Sequence, residues 1–187
     1  MKHIFFLFTI IIFFLNPATV NCQIQKLQTG VLLIRLQTNQ HLIDYYAKND
    51  LNKMEEILQK QIKKNNDIIN TFHNEWSLCP VYFFYSNNSE EILQKDFTNL
   101  INHRKETLSR EEISSIKENF LIGYLGKDSG SLKFHALILR NHDLSKLRPP
   151  LPRFVRTYKG LWFLSRKLSK TINILEKKVD FYISRKK

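Results

Sequence analysis

Glycine is scarce in this chain, with 5 residues among 187, and cysteine scarcer still, with 2. So few glycines leave little material for a phosphate-cradling loop. No Walker loop, dinucleotide fingerprint or Gly-x-Ser-x-Gly elbow is present. An exported protein built on a disulfide framework carries several cysteines in even number, and this chain does not. The histidines His41, His73, His103, His135 and His142 are scattered, without a His-Glu-x-x-His or Cys/His cluster, so no metal site and no cofactor is expected. There is no complete catalytic constellation either. An enzyme is therefore the less expected outcome, and no residue stands out as catalytic. Internal repeats and low-complexity tracts are also missing.

What the chain does have begins at its first residue. Met1, Lys2 and His3 make a cationic start, and an apolar run follows from Ile4 to Leu15 before Pro17 breaks it. Charged, apolar and then small or polar is the order of a secretory signal. A membrane-spanning helix needs ~20 apolar residues, more than this run supplies. Cleavage between Cys22 and Gln23 puts Val20 and Cys22 at the positions read by the peptidase. The division expected is therefore a signal peptide over 1–22 and one domain over 23–187. The alternative is a lipoprotein anchored through Cys22, against which Asn21 stands as a poor neighbour. Cleavage before Gln23 leaves Cys79 as the one remaining cysteine.

The formal charge is +12, falling to +11 once Lys2 leaves with the signal. A surplus of this size points to an anionic partner. Export argues against nucleic acid and leaves an anionic ligand, a lipid surface or an envelope protein. Part of the surplus also reflects a Lys-, Asn-, Ile- and Phe-rich composition of the kind AT-rich coding sequence produces.

Periodicity divides the mature chain. Val31–Leu36 is a short apolar run with β-branched members and reads as a buried strand. His41–Ala47 is helical, Asn49 and Asp50 offer a cap, and Leu51, Met54, Leu58, Ile62, Ile69, Phe72 and Trp76 mark one face of a long amphipathic helix. Val81–Tyr85 is apolar on both faces, as a central strand would be. Glu90 and Glu91 open a further helix, with Ile92, Leu93, Phe97, Leu100 and Ile101 as its apolar face. Ser109 caps a short helix beginning near Glu111 and Glu112. Phe120–Leu125 and Leu132–Leu139 flank a glycine turn and should form a hairpin. Residues Arg148–Pro152 are extended, Arg153–Tyr158 is a short edge strand, and a basic amphipathic helix runs from Leu161 to the end. Arg166, Lys167, Lys170, Lys177, Lys178 and Arg185–Lys187 lie around its apolar stripe, with Trp162 and Phe163 at its start. The fold expected is α/β: a mixed sheet of four to five strands with helical crossovers and a C-terminal amphipathic helix. That order is also the order of a thioredoxin-like fold, a likeness that carries no activity. Thiol–disulfide chemistry would need Cys-x-x-Cys after the first strand, where this chain has Gln37-Thr38-Asn39-Gln40.

Candidate site residues follow from the same layout. Arg35 interrupts a buried strand, and a buried guanidinium needs a partner, either an internal carboxylate or an anionic ligand. Ligands of open α/β sheets sit beyond the carboxyl ends of the strands. That rim carries Ser86, Asn87, Asn88 and Ser89, which either cap a helix or meet an anion. His135 and Arg140, on the fourth strand, complete the candidate ligand-binding set. Clustering of this set around one concavity would favour an enzyme, and dispersal would not. Cys79, beside Pro80 at the entrance to a buried strand, reads as an inert core thiol. Asn87-Asn88-Ser89 is a glycosylation sequon only in a eukaryotic host, and the reading is bacterial. The basic C-terminal helix could also rest on a membrane surface.

Gly30–Leu36 and Cys79–Ser86 together resemble segments of uncharacterised exported bacterial proteins. The resemblance implies export and a shared fold over most of the mature chain. It implies no activity, cofactor or catalytic residue.

Overall fold

The computed structural model describes residues 29–116, 119–127, 134–149, 151–158 and 163–184. The expected export signal with Cys22, the expected turn at Gly130, Trp162 and the last three residues lie outside the described residues. Five strands form one mixed sheet: β1 (Val31–Leu36), β2 (Val81–Tyr85), β3 (Phe120–Lys127), β4 (His135–Asn141) and β5 (Phe154–Arg156). Their order across the sheet is β2-β1-β3-β4-β5. β1 runs parallel to both β2 and β3, while β4 is antiparallel to β3 and to β5. The α/β fold with a β3–β4 hairpin expected from the sequence is the fold observed.

From β1 the chain moves one way to β2 and then back past β1 to β3. Right-handed crossovers in opposite directions put their connections on opposite faces. The first connection contains α1 (Gln40–Asn49) and α2 (Leu51–Glu75); the second contains α3 (Ser89–Leu93) and α4 (Arg110–Ile116). Alternate side chains of each strand therefore enter different cores. On one face Leu32, Ile34, Phe83, Leu137 and Val155 pack beneath α2 and α5 (Leu168–Ser184), through Phe72, Ile172, Leu175 and Val179. On the other, Leu33, Phe84, Phe120 and Ile122 pack beneath Ile92, Leu100 and Ile116. Gly123 sits where β3 is squeezed between Ile34 and Leu139; an added Cβ would lie 2.7 Å from Ile34 Cδ1.

Two predicted caps are present. The Asp50 side chain accepts from the Lys53 N–H at 3.0 Å at the start of α2. Ser109 and Glu112 exchange side-chain-to-backbone bonds, a capping box at the start of α4.

Three elements differ from expectation. The helix α3 stops at Leu93, and Phe97, Leu100 and Ile101 reach the core from irregular backbone. Lys95 turns the chain at φ 65°, and Asp96 Oδ1 then accepts from the Thr98 N–H, which closes a turn instead of another helical one. The C-terminal helix begins at Leu168, not Leu161; Phe163 and Leu164 lie in a turn, and the Arg166 N–H is tied to the Thr157 carbonyl beyond β5 instead of to a helical turn. The stripe of α2 is buried only in its second half. Ile68, Ile69, Phe72 and Trp76 are covered, whereas Leu51 is 67% and Ile62 43% exposed. Twenty-five helical residues span about 37 Å and a six-residue strand about 20 Å. The N-terminal half of α2 therefore extends past the sheet, with α1 against it.

Candidate functional site

At the carboxyl end of β1 the space under α2 is filled by an amide relay. Asn39 Nδ2 donates to Gln61 Oε1, Gln61 Nε2 to Asn65 Oδ1 at 2.9 Å, and Asn65 Nδ2 to the Gln37 carbonyl at 2.9 Å. Gln61 and Asn65 are both buried, so these bonds offset the loss of hydration that burial imposes. Asn39 adopts φ 52°, a left-handed conformation that asparagine tolerates.

The rim after β2 is occupied in the same way. Ser86 Oγ accepts from the Thr38 N–H at 3.1 Å and lies 3.0 Å from Thr38 Oγ1, which joins the ends of β1 and β2. Asn87 and Asn88 lie in a single 3-10 turn, and Ser89 Oγ donates to the Ser86 carbonyl at 2.6 Å. The Ser86 hydroxyl thus ties the turn to β1 and the Ser89 hydroxyl ties it to itself; neither caps α3, which has five residues.

Arg35 and Arg140 share the face that carries α3 and α4, and His135 lies on the opposite face under α5. The seven candidate residues are thus divided between both faces and the β2 rim. The guanidinium of Arg35 lies over the Tyr124 ring, 5.2 Å from its centroid. Its Nε is buried without a hydrogen-bond partner, and among the described residues no carboxylate pairs with it. The ring quadrupole takes the role expected of an acid. Burial pushes the Cys79 thiol up to about 11, the direction of an unreactive thiol. No group of three or more His, Cys, Asp or Glu among the described residues could hold a metal ion.

Concave surface lies elsewhere. A cavity of about 300 Å³ opens at the far end of β3, walled by Lys64, Gly126, His135, Thr157 and Arg166. His135 is the one sequence-named candidate in it. A longer groove follows the outer side of β5 and the flank of α5. One section, of about 770 Å³, lies between Pro149 and Leu151–Phe154 on one side and Lys177, Lys178, Phe181 and Tyr182 of the helix on the other. Phe154, Ile174 and Lys178 continue as walls of a middle section with Arg156 and Tyr158. Tyr158 and Arg166 are shared with the last section, which ends among Phe163, Lys167 and Lys170.

Seven cations line this groove, and among the described residues no Asp or Glu does. Two of the arginines are stacked on rings: Arg156 lies 4.1 Å from the Phe134 centroid and Arg166 4.7 Å from that of Tyr158. Stacking holds the planar guanidinium groups in place while their edges remain available to acceptors. The first turn of α5 holds no acid, and Lys167 and Lys170 flank it. A helix N-terminus favours negative charge, so these cations lie at the wrong end of the dipole for stability. An anion beside them would relieve that conflict.

The sequence names Arg166, Lys167, Lys170, Lys177 and Lys178 as a basic helix face. It does not reveal that Arg153, Arg156 and the β5 edge stand opposite them, because that proximity depends on α5 folding back across the sheet. No protein-family model, curated protein or solved structure matches this chain.

Proposed function

We propose that the protein is an exported, non-catalytic binding module of the cell envelope that holds an anionic partner in the groove between β5 and α5. The observation that carries this reading is the groove wall itself, with seven cations, five aromatic rings and, among the described residues, no carboxylate. Cations at an aromatic, partly dry surface attract anions more strongly than cations in open water. The cationic start and apolar run at residues 2–15 support export. Dispersal of Arg35, His135, Arg140 and Ser86–Ser89 over both faces argues against an active centre built from them.

The test is fluorescence anisotropy with labelled poly-L-glutamate. Lys177→Glu with Lys178→Glu should weaken binding about tenfold or more. Arg104→Glu with Lys105→Glu changes the net charge equally in the segment outside β2, at the other edge of the sheet, and should have little effect. Equal losses in the two pairs would mean that net charge alone attracts the probe, and the groove would not be the site.

A second reading, docking of the same helix on an anionic membrane, is favoured by Phe163 and Phe181, 67% and 48% exposed among the cations. Co-sedimentation with phosphatidylglycerol vesicles, lost on Phe163→Ala with Phe181→Ala, would support it.

A further inference from the structure

The sheet ends at β5, and α5 does not end with it. The helix buries Thr171, Ile172, Leu175 and Val179. A second stripe at helical spacing, Lys170, Ile174, Lys178 and Phe181, faces the groove outside β5. The helix thus covers one strand position more than the sheet contains.

Among the described residues no strand pairs with the outer side of β5. The Leu139 N–H donates to the Arg153 carbonyl and the Thr157 N–H to the His135 carbonyl, so Arg153 and Thr157, on either side of β5, turn their peptide groups toward β4. In an antiparallel pair the intervening residues turn theirs away. Those residues are Phe154 and Arg156, opposite Ile138 and Ala136. The Arg156 carbonyl accepts from Arg166 Nη1 at 3.2 Å, a half-buried side chain in the place a neighbouring strand's N–H would take.

Resting on the reading of the groove as an anion site, we propose that its occupant is an extended acidic polypeptide segment that adds as a sixth strand beside β5. Its backbone pairs with the outward groups of Phe154 and Arg156. Its side chains alternate between the α5 side, where Ile174 and Phe181 are apolar neighbours, and the open side beside Arg156. The seven cations of the wall select acidic residues. The seventeen residues of α5 span about 25 Å, which seven or eight extended residues match. A strand entering this position displaces Arg166 from the Arg156 carbonyl and leaves its guanidinium to pair with a carboxylate.

The experiment uses a fluorescein-labelled peptide of four Glu-Val repeats and the purified protein. Binding should be retained in part by Arg156→Ala, which removes the charge. Arg156→Pro also removes the outward N–H and should lose about a further tenfold. A peptide N-methylated at alternate residues on its pairing edge should bind at least about tenfold more weakly. Equal binding of the methylated and unmodified peptides, or of the Ala and Pro variants, would overturn strand addition while leaving the groove an anion site. So would binding of poly-L-glutamate or phosphatidylglycerol vesicles without binding of the short peptide. Failure of all three probes would overturn both proposals. Near-coincident circular dichroism spectra and thermal midpoints for the two Arg156 variants show that both are folded.

Discussion

The two edges of this sheet are finished differently. Outside β2, Phe83 and Ile101 exchange both backbone bonds at 2.9 Å, and Ile101 bridges onward to Thr107. That edge is occupied by the chain itself, anchored by Leu100, which is fully buried. Outside β5, by contrast, the outward groups of Phe154 and Arg156 face a basic groove, where among the described residues one Arg166 side chain meets one carbonyl. Exposed edges invite pairing with other chains, and proteins blunt them with short strands, proline and charge. β5 has three residues, with Pro152 and Arg153 before it and Arg156 on it. Those features protect against promiscuous pairing and leave room for a partner of opposite charge. The lesson is that an edge closed by packing serves stability, and an edge guarded by charge serves selection.

The largest expected effect breaks the closed edge. Leu100→Ala should cost about 2–4 kcal/mol in urea denaturation, because it opens a cavity beneath the segment that covers β2. Phe181→Ala on the open side should stay within about 0.5 kcal/mol. Gly123→Ala lies midway between the two edges and should cost about 1–3 kcal/mol, since Ile34 must leave its place to admit the methyl group.

The thiol beside the closed edge gives a pH test. With its pKa pushed up to about 11, Cys79 stays protonated in the folded protein where an unfolded thiol ionises. The unfolded state then binds fewer protons, so stability falls as pH rises from about 9 to 11. Iodoacetamide at pH 8 should label Cys79 far more slowly in buffer than in urea, and equal rates would contradict this. The smallest effect is expected at Arg35. Arg35→Met should be neutral or slightly stabilising, because it removes a buried Nε that has no partner.

The strands were legible because β1, β2 and β3 carry apolar residues toward both cores, and the Asp50 and Ser109 caps were legible from local chemistry. The end of α3 was not. Phe97 and Leu100 continue a helical spacing from Leu93, but Leu93 is exposed and the burial of the other two is achieved from a turn closed by Asp96 and from the bridge at Phe83. The exposed half of α2 was hidden for another reason: periodicity shows which face is apolar, not how far the sheet beneath extends. The candidate set built from Arg35, His135, Arg140 and the Ser86–Ser89 rim scattered because strand alternation sends neighbouring candidates to opposite faces. The groove was half legible, since the lysines of α5 stand in the sequence while the β5 edge meets them only through tertiary packing.

The measurement that bears most directly on the account is amide hydrogen exchange, read residue by residue by NMR with and without the Glu-Val peptide. The amides of Phe154 and Arg156 should gain protection together with shifts along Ile174–Tyr182, while Phe83 and Ile101 stay unchanged. Unaltered exchange at Phe154 and Arg156 in the saturated complex would contradict the claim that the open edge is the binding edge.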